Sequence, residues 1–252
     1  MGLERADRHG RSIEAERIRR EYARRAATIP AACYALDTPA NLFAHQQRAR
    51  RALALLETGG LLPLCGRRVL EVGCGTGGWL PQFEGWGVRR GDLAGIDLDP
   101  QRAAAAAIRC GAARDESGTL LAAGADIRCG DAANLPWRGP QFDIAVVSTV
   151  FTSILDPEMK QAIAGRLLDV LKPDGAVLWY DFFVDNPWNP NVRGVPRREI
   201  ETLFRGCDIR LSRVTLAPPL AQRLVPVSWG LAVALEATCL LNTHYLGLFR
   251  KR

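Results

Sequence analysis

The 252-residue sequence predicts an α/β fold, a mostly parallel sheet with helices on both faces. Three observations carry that prediction. Short apolar runs alternate with helical stretches from residue 67 to residue 183, and such alternation builds a parallel sheet. The first run ends in the glycine-rich turn Gly73-Cys74-Gly75-Thr76-Gly77-Gly78, which opens a helix. The tail then changes period: "DIRLSRVTLAP" and "THYLGLFRK" alternate apolar and polar residues, which predicts an edge pair closing one side of the sheet.

In chain order, residues 11–27 read as a helix begun near Ser12, with Ile13, Ile18 and Tyr22 on a thin apolar stripe. Pro30 and Pro39 break the helical pattern, and a second helix runs from about Leu42 to Leu56, stopped by Gly59-Gly60. Residues 1–60 are thus expected to form a helical extension or cap, and residues 61–252 the main domain. There, "RRVLEV", "DLAGIDLD", "GADIRCGD", "FDIAVVS" and "GAVLWYDFF" are five strands. Helices are predicted at 77–85, Pro100 to Cys110 and Pro157 to Leu171. The last has proline in its first turn and stops at "KPDG".

The apolar span Leu224 to Leu241 holds Pro226, Ser228, Gly230, Glu236 and Thr238. A spanning helix needs about 20 mainly apolar residues, and a central carboxylate costs about 2.5–3.5 kcal/mol. The span is therefore predicted as a helix packed on the sheet, with peripheral membrane contact left open.

Apolar content of 48% and charged content of 24% are ordinary for a globular domain and exclude a disordered or collagen-like chain. The net charge of +6 comes from scattered arginines, densest in the first 28 residues, where eight Arg face five acids. A solvated basic helix is expected there, and the scatter argues against a nucleic-acid surface. Seven cysteines without a C-x-x-C pair argue against a disulfide framework and against structural zinc, so no metal is expected. The first twenty residues lack the apolar core of a signal peptide, so the expectation is a cytoplasmic chain, monomer or homodimer.

The glycine-rich turn matches two loops. Gly73 to Gly78 fits G-x-G-x-x-G, a dinucleotide fingerprint, and Glu71 onward fits E-x-G-x-G-x-G. In both, glycines let backbone N–H groups approach a ligand. An acid two residues before the first glycine is badly placed for a pyrophosphate. Glu71 suits the sulfonium and ammonium groups of S-adenosylmethionine instead. Asp97, at the end of "GIDLD", is placed to accept both ribose hydroxyls of any adenosine cofactor. Asp131, after the third strand, can accept from an adenine amino group while Ala132 offers an N–H.

In series, "LEVGCGTG", "GIDLDP", "GDAANLP", "FDIAVVS" and "LKPDGAVL" resemble the five motifs of the class I S-adenosylmethionine-dependent methyltransferases, over residues 67 to 182. The resemblance implies a Rossmann-like, doubly wound sheet of seven strands in the order 3-2-1-4-5-7-6, with strand 7 antiparallel. It implies S-adenosylmethionine as cofactor and S-adenosylhomocysteine as product. It places cofactor contacts on Glu71, Gly73, Cys74, Gly75, Asp97, Leu98, Asp131, Ala132 and Ser148. "STVFTSILDP", "WYDFFVDNPWNPNVRGVPRREI" and "THYLGLFRK" resemble a bacterial small-molecule subgroup.

Methyl transfer is an in-line displacement that leaves a neutral thioether, so positioning can supply up to about 7–11 kcal/mol. A base is needed only for a hydroxyl or weakly acidic C–H acceptor. Asp181, at the end of the fifth strand, and His45, on the second helix, are the candidate bases; His244 is weighed with them. Tyr180, Arg193 and Arg197 are candidate acceptor contacts, the two arginines because guanidinium forks suit an anionic group. Trp79, Trp137, Phe151, Trp179, Phe182, Phe183 and Trp188 crowd the same edge, mostly as core. The fourth-strand exit "STVF" lacks the Asn/Asp-Pro-Pro-aromatic turn typical of methyltransferases of DNA-base amines.

The expected function is methylation of a small molecule, at oxygen first, with carbon and nitrogen open, on an anionic, glycosyl, natural-product or lipid acceptor. The alternatives are an RNA or protein methyltransferase using the basic N-terminus, and a non-catalytic cofactor-binding protein.

Overall fold

The computed structural model describes residues 2–111, 113–114, 120–122, 124–186 and 189–252. Seven strands form one sheet: β1 (Val69–Val72), β2 (Leu93–Asp97), β3 (Asp126–Cys129), β4 (Phe142–Ser148), β5 (Leu171–Phe182), β6 (Cys207–Leu216) and β7 (Asn242–Lys251). Their spatial order is 3-2-1-4-5-7-6. Strands β1 to β5 pair parallel, and β7 runs antiparallel to both neighbours. The tail strands differ from an edge pair in one respect: β7 is inserted between β5 and β6, so only β6 is an edge. Residues 113–114 and 120–122 form a separate two-stranded ribbon.

Period-2 alternation divides the core into two layers. Leu70, Val72, Ala145, Val147, Val177 and Trp179 face one side, covered by α5 (Pro157–Val170) and α6 (Arg197–Leu203). Val69, Ile144, Val146, Ala176, Leu178 and Tyr180 face the other, covered by α2 (Pro39–Thr58), α3 (Leu80–Gly85) and α4 (Pro100–Arg109). Asp99 and Asp156 cap α4 and α5 by accepting from N–H groups of the first turn, and proline follows each cap.

Further elements depart from the sequence expectation, among them α1, which begins at Gly2 rather than near Ser12. Pro39 opens α2 at its first position, where the missing N–H costs nothing. Strand β5 begins at Leu171, four residues early, because "KPDG" forms an irregular step: Leu171 pairs with Phe142, then Ala176 with Ile144. The span from Leu224 to Leu241 is not one helix. Pro226 interrupts it, leaving α7 (Pro218–Leu224) and α8 (Trp229–Ala237), the latter capped by Ser228. No helix among the described residues is long and apolar enough to cross a membrane.

Helix α1 (Gly2–Thr28) does not lie free in solvent. Its buried face is Glu14, Ala15, Ile18 and Glu21, with Tyr22 half-buried, whereas Ile13 is 57% exposed. The inward stripe is thus more polar than an Ile13–Ile18–Tyr22 stripe, because Glu14 and Glu21 meet the Leu155 N–H and the Asn191 side-chain amide on the domain.

Candidate active site

The first structural cause of the site is the loop after β1. Gly73 and Gly75 have φ of +67° and +55°, values that favour glycine. A Cβ on Gly73 would stand 2.5 Å from Val150 Cγ2, and one on Gly75 would stand 2.6 Å from an Arg102 nitrogen. The glycines therefore let the chain pass between the β4–α5 loop and α4.

Asp97 closes β2 and locks this loop. Its Oδ2 accepts from the Gly75 N–H at 2.7 Å, and its Oδ1 from the Asp99 N–H at 3.0 Å. Asp131 follows β3, accepting from the Ala133 N–H at 2.8 Å and from the Asn134 side chain at 3.3 Å. Between them opens a cleft at the carboxyl edge of the sheet. Gly73, Asp97, Leu98, Asp131, Ala132 and Ser148 all line it, with Ile154, Met159 and Ile163 as apolar wall. Two carboxylates beside a flat apolar wall suit an adenosine, whose hydroxyls and amino group donate while its ring stacks. This edge is where open α/β sheets bind ligands.

Glu71, Cys74 and Gly75 stand behind that lining. Glu71 is buried on the opposite layer and accepts from the Trp79 N–H at 3.2 and 3.3 Å. Burial pushes its carboxyl up to about 8, against the Trp79 and Leu80 N–H groups and the Arg48 charge, which pull it down. Cys74 is buried too, and burial raises its thiol far above the ordinary range, so it is an inert packing residue here.

The candidate bases lie elsewhere. Asp181 is fully buried, with Oδ1 accepting from the Thr152 hydroxyl at 2.7 Å and the Phe182 N–H at 2.9 Å, and Oδ2 from the Thr152 N–H at 3.2 Å. Burial raises it to about 6 against these donors. It points into the β4–α5 loop, and the structure does not bring it to the cleft lining. His45 sits on α2, its Nδ1 3.4 Å from an Arg48 nitrogen. Burial and the Arg48 charge lower its pKa, and it too is outside the lining.

Tyr180 faces the α2 layer, its hydroxyl 2.9 Å from Thr215 Oγ1 and its ring stacked on His244 at 4.6 Å. Arg48 lies over both Tyr180 and Trp79, 5.1 and 4.8 Å from the ring centres. Burial, then the Arg48 charge, drops His244 to about 3, so its ring stays neutral. Tyr180, Thr215, His244 and Arg48 thus form a polar group on the same sheet edge as the cleft but on the other face.

Arg193 pairs with Glu199 at 3.1 Å and Arg197 with Glu201 at 2.7 Å. Arg193 lines a separate surface hollow with Lys160 and Glu199, and neither arginine lines the main cleft. Of the aromatic residues, Phe151 and Trp179 pack together in the core at 4.8 Å, and Trp188 lies outside the described residues. Among the described residues, no three or more His, Cys, Asp or Glu side chains converge as a metal-ligand group.

Sequence reasoning expected a cap from residues 1–60 but named none of its residues as lining the cleft. Ile18, Arg19 and Tyr22 of α1 line it directly. Glu14 accepts from the Leu155 N–H at 2.6 Å, Arg17 donates to the Ser153 carbonyl at 2.6 Å, and the Tyr22 hydroxyl is 3.2 Å from Ser153 Oγ. Burial works to raise Glu14, but Arg17 and the Leu155 N–H outweigh it and hold the carboxyl low. Arg102 bridges helix and loop, with its guanidinium 4.4 Å from the Tyr22 ring. The only sequence signal was a tyrosine on a helix stripe and an arginine in the first turn of α4.

Comparison with known proteins agrees with this geometry. Residues 69–175 match a family model described as a methyltransferase domain. Over 140 residues the chain is 31% identical to a phthiotriol/phenolphthiotriol dimycocerosates methyltransferase of Mycobacterium ulcerans. That match covers 54% of this chain and 46% of the relative, so it spans a little under half of that protein's length. The magnesium protoporphyrin IX methyltransferase of Synechocystis, solved with bound S-adenosylmethionine, superposes with a TM-score of 0.53 at 16% identity, over 84% of this chain and 81% of that one. The [4+2]-cyclase SpnF superposes with a TM-score of 0.55 at 21% identity, over 81% of each chain. These two likenesses speak for the fold. The sheet order is that of the Rossmann-like methyltransferase fold, and residues 69–175, which carry the motif series, match a methyltransferase domain.

Proposed function

We propose that this chain transfers a methyl group from S-adenosylmethionine to a hydroxyl of a small, largely apolar acceptor of lipid or natural-product type. The observation that carries the reading is the charge set of the sheet edge. Asp97 and Asp131 line the adenosine cleft, Glu71 lies buried behind it, and no cation but the capping Arg19 and Arg102 lines the cleft. A cationic adenosine donor fits that set, and a dinucleotide pyrophosphate does not. The cofactor, when bound, supplies an electrophilic methyl on a sulfonium.

The hydroxyl's proton is released to solvent water as its oxygen bonds the methyl and the sulfonium leaves as a neutral thioether; the chain's own residues do the rest by holding and excluding. Asp97 and Asp131 offer acceptors to ribose and adenine, and Leu98, Ala132 and Met159 offer apolar contact. Asp181, through Thr152, sets the β4–α5 loop that forms the cleft wall. Ile18 and Tyr22 cover the cleft against water. Acceptor contacts are assigned to the polar group around Tyr180, Thr215 and His244, in preference to Arg193 and Arg197, whose charges are already met by Glu199 and Glu201.

The lipid-type acceptor is supported by the mycobacterial relative's name and by the hydroxyl-bearing, largely buried character of that group. The RNA-binding alternative loses its motive, since the basic N-terminal helix pairs Arg17 with Glu14 and Arg24 with Glu21 and docks on the cleft. The SpnF likeness keeps a cofactor-binding protein with other chemistry as the second reading.

The test is incubation with methyl-labelled S-adenosylmethionine and fractionated host extract, followed by mass spectrometry. Label in a methyl ether of the lipid fraction is expected. Label only in RNA or protein would overturn the acceptor reading. Tight cofactor binding with no labelled product would favour the second reading.

A further inference from the structure

The insertion between β6 and β7, residues 217–241, carries an apolar outer face that the fold leaves uncovered. Val227, Trp229, Leu231, Leu240 and Leu241 are 81%, 37%, 56%, 79% and 46% exposed. They are five of the nine exposed large apolar side chains among the described residues, gathered within fifteen positions. Scattered apolar residues need no explanation, but five exposed within fifteen positions of one insertion mark an interaction surface.

The patch is rigidly mounted. Trp229 packs edge-on against Phe43 of α2 at 5.1 Å, and Ala221, Val225 and Ala232 form a small core beneath it. Glu236, the only acid of the insertion, is buried, and its Oε1 accepts from the Thr215 N–H at 3.1 Å. The acid therefore faces inward, and the exposed charge around the patch is positive. Arg223 lies on α7, and Arg50 and Arg51 on α2 are close enough to act electrostatically on Glu236. All three are exposed, and among the described residues none makes an ion pair. Arg17, Arg19, Arg20 and Arg24 of α1, with Arg193 and Arg197, are by contrast paired with acids.

We propose that this face docks on an anionic lipid surface, with the leucines and Val227 entering the acyl boundary, Trp229 at the interface and the three arginines on the headgroups. An exposed apolar segment with cations free of acid partners on it and beside it is the pattern of an interfacial anchor. The Glu236–Thr215 bond ties the anchor to the strand ends that carry Tyr180 and His244, so docking sets that sheet edge against the membrane. The inference rests on the surface alone and stands whether or not the acceptor is a lipid.

The test is sedimentation of the full chain with phosphatidylcholine vesicles and with vesicles containing phosphatidylglycerol. Binding to the anionic vesicles, weakened by salt, is expected. Leu231→Ser with Leu240→Ser should lower the partition at least about tenfold. Arg50→Gln with Arg51→Gln, outside the insertion, should lower it about fivefold per arginine on anionic vesicles alone. All four positions are exposed, and an unchanged melting temperature verifies folding. Binding to neither vesicle, or binding unaffected by both variants, would overturn the proposal. So would a dimer in sedimentation equilibrium that the leucine variant dissolves, since a second copy would then cover the face.

Discussion

The N–H of Gly75 donates to Asp97 Oδ2 at 2.7 Å, joining the glycine-rich loop after β1 to the end of β2. One carboxylate thereby sets the loop and lines the adenosine cleft. Asp97→Ala removes both roles. Hydrogen bonds to charged groups are worth about 1.5–3 kcal/mol, so cofactor affinity should fall roughly 10- to 150-fold. Titration calorimetry with S-adenosylhomocysteine reads this directly, and an unchanged affinity would remove Asp97 from the site.

Glu71 gives a pH signature. Burial raises its pKa to about 8, so the free protein holds it protonated below that pH. A cationic ligand favours the carboxylate, hence binding releases a proton. Affinity should rise toward about pH 8, by up to about tenfold per pH unit. Glu71→Gln should flatten that rise. Calorimetry in buffers of different ionisation enthalpy counts the proton; a flat wild-type profile would show that Glu71 does not sense the ligand.

Asp181 separates holding from chemistry. Its folded pKa of about 6 lies above the ordinary 3.8, so the folded state binds a proton more tightly than the unfolded one. Its contribution to stability is therefore full below about 3.8 and lost as pH rises through about 6. Thermal melts of Asp181→Asn should show that decline removed. Thr152→Val should lower stability by about 1–3 kcal/mol, having stripped a buried acceptor of its donor. Were Asp181→Asn to abolish turnover with the melt and cofactor affinity unchanged, a catalytic role would be indicated instead.

The cap over the cleft predicts a kinetic effect. Tyr22→Ala removes the ring under Arg102 and the contact to Ser153, and should speed cofactor release about three- to tenfold. Stopped-flow displacement measures the rate. An unchanged rate would mean that α1 does not gate exchange.

Arg193→Ala and Arg197→Ala should change acceptor KM less than about twofold. Each charge sits in an exposed pair, and such pairs are worth about 0–1 kcal/mol. A large rise in KM on steady-state assay would restore them as acceptor contacts.

The parts of this protein legible in its sequence are those governed by neighbours along the chain. Strand period, the positive φ demanded at Gly73 and Gly75, and the acids that close β2 and follow β3 are local properties, so β1 to β4 and the loops at their carboxyl ends could be read from the sequence, whereas the start of β5 at Leu171 could not. The insertion was only half legible: its apolar run was plain, but Pro226 split it, and burial of Glu236 depended on Thr215, twenty-one residues away.

What only the tertiary structure decided is which partner each polar side chain meets. Glu14 finds the Leu155 N–H across 141 residues, and Asp181 turns to Thr152 rather than to the cleft. Arg193 turns to Glu199. These choices follow from the cost of burying a charge or N–H unpaired, which is settled by whatever packing brings near. The sequence by itself determined the glycine-rich loop and the acids that close β2 and follow β3, through local geometry. Long-range packing decided what covers the cleft, which acids are structural, and which face is left bare.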